Sequence, residues 1–225
     1  MHGAFKHAIG SRSQEPTSLL DVGCGEGAFV RYIGPIPGLE RHGVDISAPS
    51  IELAAKASPD VLFIVANADR FLPYADASFD FVTSIDARVN ASEFDRVLTK
   101  TGLVLVAVPA PDDLAELREH VLGGTVEKSR APRIEDELGK SFTLVDRTTI
   151  RDRRTFEPDA LRDLLTATYR GFRQSEQATV ATLSAMNVTL SHEVLAFRRP
   201  PPSLRAGGKR EGVDEAILGK KVSGL

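Results

Sequence analysis

A glycine-rich segment near the start of the chain carries the strongest chemical signal in the sequence. Asp21 stands two residues before Gly23, and further glycines follow at Gly25 and Gly27. Without a Cβ, the backbone at Gly23 and Gly25 can turn tightly and come within van der Waals contact of a ligand. A helix predicted to follow would point its free N–H groups towards the same ligand. The segment therefore predicts a ligand-binding loop, and the alternative is a tight turn without a ligand.

Asp45 is the second candidate, because it lies 22 positions after Gly23 at the predicted end of a strand. Its carboxylate could accept hydrogen bonds from both hydroxyls of a ribose, or it could cap the helix that follows. A nicotinamide enzyme would prefer the spacing G-x-G-x-x-G. This chain has G-x-G-x-G with an acid before it, which argues against a nicotinamide site. Cys24, inside the loop, is expected to be a small buried side chain rather than a nucleophile.

The elements that must position these residues alternate regularly along the chain. Strands are predicted at Ser18–Val22, Arg41–Asp45, Val61–Ala66, Phe79–Ile85, Gly102–Val108, Phe142–Ile150 and Asn187–Phe197. Helices are predicted at Glu26–Ile33, from the N-cap Ser47 to Ala57, and at Ala91–Leu98, Asp112–Leu122 and Asp159–Ala167. This alternation implies βαβ units and a parallel sheet with helices on both faces. A reversal near the end suits an antiparallel edge strand. We therefore predict an α/β, Rossmann-like, seven-stranded, mainly parallel sheet.

Composition limits the classes of protein and site that fit the chain. The 225 residues are 42% hydrophobic and 26% charged, as in an ordinary globular protein. The single cysteine excludes an intramolecular disulfide and a cysteine-rich zinc site. His42 and His192 show no metal-ligand spacing and are expected to be packed or surface residues, so we predict no metal. No run approaches the roughly 18 apolar residues that a membrane span needs, and a cytoplasmic protein is expected.

Three segments are expected along the chain: an N-terminal lead at 1–17, a domain at 18–199 and a basic, flexible tail at 200–225. From Arg198 to Leu225 seven basic residues stand against three acidic ones, although the formal net charge of the chain is −3. Such a tail could contact phosphates, or it could be solvated and without a partner.

The glycine loop resembles the first motif of the class I methyltransferases that use S-adenosylmethionine (SAM). The segments Asn67–Asp69, Leu72–Tyr74 and Ser78–Asp80 are similar to the G-D-A, L-P-F and S-F-D series of that family. The resemblance implies that the loop holds the amino-acid part of SAM. It also implies that Asn67, where it is not simply a turn residue, accepts from the adenine amino group through its side-chain oxygen. The implied cofactor contacts are Asp21, Gly23, Cys24, Gly25, Asp45, Ile46, Asn67, Ala68 and Asp86.

A narrower resemblance concerns the acceptor of the methyl group. LLDVGCGEG, HGVDIS, the Pro109–Leu114 segment and the Thr168–Arg170 segment are similar to bacterial large-subunit rRNA guanine-N1 methyltransferases. Two departures stand against it: the chain has no cysteines for their N-terminal zinc module, and Ser84–Arg88 differs from their Y-A-P-like segment. The resemblance implies an rRNA acceptor. The alternatives are a small-molecule methyltransferase and a SAM-binding partner subunit without transferase activity.

No catalytic residue is assigned from the sequence. The sulfonium of SAM is a strong electrophile, so the protein has mainly to align the reactants and exclude water. If the acceptor is a ring nitrogen that carries a proton, Asp86 is the best-placed carboxylate to take it, at the predicted end of the fourth strand. Asp86 could instead line the methionine end of SAM or cap a loop. Arg88, Tyr169 and Arg170 are candidates for contacts with a base or a phosphate.

Overall fold

The computed structural model describes residues 17–123, 128–168 and 183–200. The strands in these ranges are β1 Ser18–Val22, β2 Glu40–Asp45, β3 Leu62–Val65, β4 Phe79–Ile85, β5 Leu98–Pro109, β6 Thr143–Phe156 and β7 Met186–Arg198. They form one sheet in the order β3-β2-β1-β4-β5-β7-β6. β7 runs antiparallel to both of its neighbours, while the pairs from β3 to β5 are parallel. The predicted α/β class and the mainly parallel seven-stranded sheet are confirmed, with β1 between β2 and β4.

The helices of the described residues are α1 Ala28–Ile33, α2 Ala48–Ala57, α3 Ala91–Val97, α4 Ala115–Leu122, α5 Ala131–Leu138 and α6 Pro158–Thr168. The predicted cap of α2 is confirmed, because the Ser47 hydroxyl accepts a hydrogen bond from the Ser50 backbone N–H at 3.4 Å. α5 was not predicted from the sequence. It buries Ala131, Ile134 and Leu138, which lie at helical spacing on one face.

Apolar side chains alternate along β1 between two cores, one on each face of the sheet. Leu20 packs in a cluster that includes Phe94 of α3 and Leu138 of α5. Leu19 packs in a different cluster, which includes Phe81 of β4 and Ile33 of α1. Helices therefore cover both faces, as predicted, and the loop after β1 starts from a rigid, fully buried strand.

The position of the antiparallel strand differs from the prediction. β7 is not at the edge: it lies between β5 and β6, and β6 is the edge strand. β7 is mostly buried, whereas most residues of β6 are exposed. The polar, arginine-rich sequence of β6 suits a free edge, because charged side chains there oppose pairing with another chain. The apolar sequence of β7 suits the position between two strands.

The last two strands also extend beyond the sheet. β5 pairs with β7 only up to Pro109 opposite His192. Beyond that point, residues 151–156 and 186–191 pair with each other as a two-stranded ribbon. α4 and α6 pack beside this ribbon in a third apolar cluster, the ribbon cluster. Its buried members are Leu114, Leu117, Val121, Leu161, Leu165, Leu183 and Val188.

Candidate active site

The loop between β1 and α1 has a backbone that only glycine adopts readily. Gly23, Gly25 and Gly27 have φ angles of +75°, +52° and +72°, in the left-handed region where a Cβ is disfavoured. The N–H groups of Gly23 and Cys24 both donate to the carbonyl oxygen of Val44, at 2.8 and 3.1 Å. The loop is therefore held against the carboxyl end of β2.

The three glycines face different surroundings. A Cβ added at Gly23 would lie 2.3 Å from the Cβ of Ala87, and one at Gly27 would lie 2.9 Å from the Phe63 ring. A Cβ added at Gly25 would meet nothing within 4 Å. The space that a Cβ of Gly23 would need is therefore taken by the loop after β4. Contact of the Gly23 backbone with a ligand stays a prediction. Gly25 is the glycine with an open side.

Asp45 ties this loop to the start of α2. One carboxylate oxygen accepts from the Gly25 N–H at 2.9 Å, and the other accepts from the Ser47 N–H at 2.9 Å. The side chain is half-buried at the end of β2. Each carboxylate oxygen keeps a further lone pair for a hydroxyl donor. The next side chain, Ile46, is 68% exposed and presents an apolar surface beside the carboxylate.

Asp21 and Cys24 lie beneath the loop rather than on its surface. Asp21 is 2% exposed, and the Thr83 hydroxyl donates to its carboxyl at 2.6 Å. Burial raises the pKa of Asp21 to about 7, and the nearby charge of Asp45 acts in the same direction. Burial likewise raises the pKa of the Cys24 thiol to about 12. A thiol that stays protonated is a poor nucleophile, in keeping with the packing role expected for Cys24.

Gly43 is a residue of this region that the sequence analysis missed. A Cβ there would lie 2.6 Å from the Phe63 ring and 2.9 Å from the Cys24 sulfur. The strand β2 can therefore pass beneath the loop only with glycine at this position. A glycine inside a strand is the signal that could have found it, because it marks a close approach of another group.

The loop after β3 places Asn67 and Ala68 in a turn. The Asn67 side-chain oxygen accepts from the Asp69 N–H at 3.0 Å, as in an Asx turn. Asn90, the N-cap of α3, donates to the carbonyl oxygen of Ala68 at 3.0 Å. One lone pair of the Asn67 oxygen is therefore used locally, and one remains for a ligand amino group. Arg88 forms an ion pair with Asp69 at 3.0 Å.

Asp86, directly after β4, has a partner that the sequence did not suggest. Its carboxylate lies 2.9 Å from Nε2 of His192, which is 106 positions away on β7. The hydrogen bond that Asp86 accepts from His192 raises the pKa of His192, while partial burial opposes that shift. His192 was expected to be a packed or surface residue, and the structure shows it half-buried and hydrogen-bonded to Asp86 where β4 and β5 end.

The Pro109–Leu114 segment is bound to β7. The Ala110 N–H donates to the Ser191 carbonyl at 2.9 Å, and the Ser191 N–H donates to the Asp113 carboxylate at 2.7 Å. The Leu114 N–H also donates to the Thr189 carbonyl at 2.8 Å. These contacts hold the segment after β5 against the part of β7 that belongs to the ribbon. Tyr169 and Arg170, the other candidates for acceptor contacts, lie outside the described residues.

The arrangement fits SAM. The loops after β1, β2 and β4 meet at the carboxyl edge of the sheet, where open α/β folds bind their ligands. The carboxyls of Asp21 and Asp45 suit a ligand with a cationic sulfur and an ammonium group. The open side of Gly25 and the exposed face of Ile46 suit the close approach of a flat, partly apolar molecule.

The described ranges contain neither a cluster of metal ligands nor a helix that could span a membrane. In residues 17–123, 128–168 and 183–200, no three His, Cys, Asp or Glu side chains are grouped so that they could hold a metal ion. No helix of those same ranges has the length and apolar character needed to cross a membrane.

Comparisons with known proteins agree with this geometry. A family model described as "Methyltransferase domain" matches residues 20–106. A Bacillus subtilis protein provisionally named as a 23S rRNA (guanine-N(1)-)-methyltransferase is 34% identical over 128 residues, 53% of this chain and 44% of that protein. The demethylmenaquinone methyltransferase of Thermotoga maritima is 37% identical over 91 residues, 40% of this chain and 39% of that enzyme. The chain spans about half the length of the curated relatives it matches.

Among solved structures, the YcgJ protein of Bacillus subtilis superposes with a TM-score of 0.56 at 18% identity. The match covers 89% of this chain and 98% of that protein. At this identity the likeness concerns the fold alone, and it extends well beyond the segment that the family model matches.

Proposed function

We propose that this chain is a class I SAM-dependent methyltransferase and that it transfers a methyl group from SAM to a guanine ring nitrogen of large-subunit rRNA. The observation that carries the SAM part is the glycine loop, with its left-handed backbone held by Val44 and by the carboxylate of Asp45. The acceptor is supported by the 34% identity to the Bacillus subtilis relative and by the similarity of the Pro109–Leu114 segment.

In this proposal three features of the chain hold the cofactor. Asp45 accepts the ribose hydroxyls through the lone pairs that Gly25 and Ser47 leave free. Ile46 packs its exposed side chain against the adenine. Asp21, buried beneath the loop, adds negative potential that favours a cationic ligand, and such a ligand in turn favours the ionised form of Asp21.

SAM, when bound, supplies a methyl carbon on a positively charged sulfur. The chain has to hold the acceptor in line with that carbon and exclude water, which lowers the entropic part of the barrier. No nucleophilic side chain is required, and Cys24, whose thiol pKa is about 12, does not supply one. A cytoplasmic location belongs to the same proposal, because SAM and ribosomal RNA meet there.

The test is transfer of tritiated methyl groups from SAM into protein-free rRNA and, in parallel, into a metabolite extract. We expect label in large-subunit rRNA and, after digestion, in a guanine methylated at N1. Asp45→Ala should reduce the label, whereas Asp163→Asn, a change at an exposed position of α6, should not. SAM binding without transfer to either pool would instead identify a non-catalytic SAM-binding subunit.

A small-molecule acceptor is the second candidate. It is favoured by the 37% identity to a demethylmenaquinone methyltransferase and by the formal net charge of −3. Label in the metabolite pool with none in rRNA would establish it.

Truncation after Pro200 is a second test that distinguishes an rRNA acceptor from a small-molecule acceptor. It removes five of the seven basic residues counted from Arg198 onwards. If the tail binds RNA, the log–log dependence of RNA affinity on salt should become flatter by roughly 0.7 for each lost phosphate contact. SAM affinity should not change. A small-molecule enzyme would keep its turnover after this truncation and in moderate salt.

A further inference from the structure

The Asp86–His192 pair lies where β4 and β5 end beside β7. Asp86 follows the last residue of β4, and its N–H donates to the Ala107 carbonyl of β5 at 3.0 Å. His192 stands on β7 opposite Pro109, the last residue of β5. The carboxylate and the imidazole Nε2 are 2.9 Å apart, with the side chains 48% and 23% exposed. The pair is therefore accessible from solvent and anchored on rigid elements.

The backbone of Asp86 keeps the pair beside the glycine loop. Asp86 has a φ of +53°, an uncommon conformation for a residue with a Cβ, and such conformations cluster at functional sites. The next residue, Ala87, fills the space above Gly23. The turn after β4 thus directs the carboxylate of Asp86 to His192, while Ala87 packs on the glycine loop.

The chemistry of the pair follows from its hydrogen bond. A carboxylate oxygen can only accept, so Nε2 of a neutral His192 carries the hydrogen and Nδ1 keeps the lone pair. Asp113, on the segment after β5, is the second acid that acts on His192. It is buried and accepts from the Ser191 N–H. Both carboxylates favour an imidazolium, and partial burial opposes them.

We propose that His192 is the proton acceptor of methyl transfer, taking at Nδ1 the proton of an N–H or O–H acceptor group, and that Asp86 is its positioning residue. This inference rests on the proposed function. The lone pair of the acceptor atom forms the bond to the methyl carbon, and the carbon–sulfur bond breaks with its electron pair left on sulfur. The acceptor's proton passes to His192 and then to water. Asp86 fixes the ring and stabilises the imidazolium.

The first measurement is the rate of methyl transfer into protein-free rRNA against pH. The rate should rise with pH as His192 loses its proton, with an inflection above 6.5, the ordinary histidine value. His192→Gln should lower kcat by about 100-fold or more and remove the inflection. Asp86→Asn should lower kcat and move the inflection to lower pH. SAM affinity by calorimetry should stay within a few-fold for His192→Gln.

Matched controls are His120→Gln on α4 and Asp163→Asn on α6, both at exposed positions; neither should change kcat or the profile. A second measurement needs no acceptor: an NMR titration of the His192 ring should show a lower pKa in Asp86→Asn than in the parent protein. This readout also serves if His192→Gln fails to fold.

The inference is overturned if His192→Gln keeps the kcat and pH profile of the parent, or if the His192 titration does not respond to Asp86→Asn. If the parent protein itself transfers no methyl group, the proposed function is overturned. The two failures are therefore distinguishable.

Discussion

The glycine loop and the ribbon formed by the end of β6 and the start of β7 are stabilised in different ways. The conformation of the loop is fixed mainly by its main chain. Its glycines are left-handed, two of its N–H groups donate to the Val44 carbonyl, and the Gly25 N–H donates to Asp45. The ribbon is instead stabilised by side chains, which form the ribbon cluster and ion pairs such as that of Arg153 with Glu116 at 3.3 Å. A constraint on the backbone demands particular residue types, whereas a packed cluster accepts many apolar residues.

The two kinds of contact in the ribbon also differ in strength. Arg153 and Arg154 have side chains more than 60% exposed, and exposed ion pairs typically contribute about 0–1 kcal/mol. Leu117, Leu161 and Val188 are fully buried. The apolar cluster therefore stabilises the ribbon, and the arginines mainly keep its edge soluble. The variants below test this division, from the largest expected effect to the smallest.

The largest effect is expected from Gly23→Val. The new Cβ would clash with Ala87 at 2.3 Å, and φ is +75°, so the loop cannot keep its path. SAM binding should be lost in calorimetry. Gly34→Val is the matched control, because Gly34 also has a positive φ of +68° but an open side; it should still bind SAM. Equal binding by both variants would mean that the loop does not need its backbone conformation.

Leu161→Ala should affect the ribbon without affecting the loop. Leu161 is fully buried in the ribbon cluster, so its truncation should lower the free energy of unfolding by about 2–5 kcal/mol. Urea denaturation measures that change, and calorimetry should show unchanged SAM affinity at a temperature where the variant is folded. A parallel fall in SAM affinity would show that the two regions are coupled.

Asp45→Ala should weaken SAM binding by about 1–3 kcal/mol, because the ribose loses a charged acceptor and the Gly25 N–H loses its partner. Asp45→Asn should lose less, since one amide oxygen can still accept. Calorimetry on both variants, with Asp163→Ala as the control, measures the difference. If all three variants bind SAM like the parent, Asp45 serves only to hold the start of α2 and does not contact the ribose.

Arg153→Gln should have the smallest effect. Its ion pair with Glu116 is largely exposed, so the free energy of unfolding should change by less than about 1 kcal/mol, and the change should shrink at high salt. Denaturation in low and high salt measures this. If Arg153→Gln lowered the free energy of unfolding as much as Leu161→Ala does, the ion pairs would stabilise the ribbon as strongly as the apolar cluster, contrary to our expectation.

Local signals account for the features predicted correctly. β1 and β4 have the predicted bounds, because each is a short apolar run buried on both faces and ended by turn residues. The helix cap at Ser47 is equally local. β6 and β7 were found as strands, but the position of β7 inside the sheet was not, since pairing partners far apart in the chain leave no local pattern.

The sequence by itself determined the glycine loop, because positive φ angles at three nearby positions require glycine, and that requirement is visible residue by residue. It also determined the alternation that produces the parallel half of the sheet. Only the tertiary structure decided which glycine faces Ala87 and which lies open, that β6 forms the edge, and that His192 meets Asp86 across 106 residues. Those outcomes depend on how distant strands align, and a single side chain carries no information about its neighbour in space.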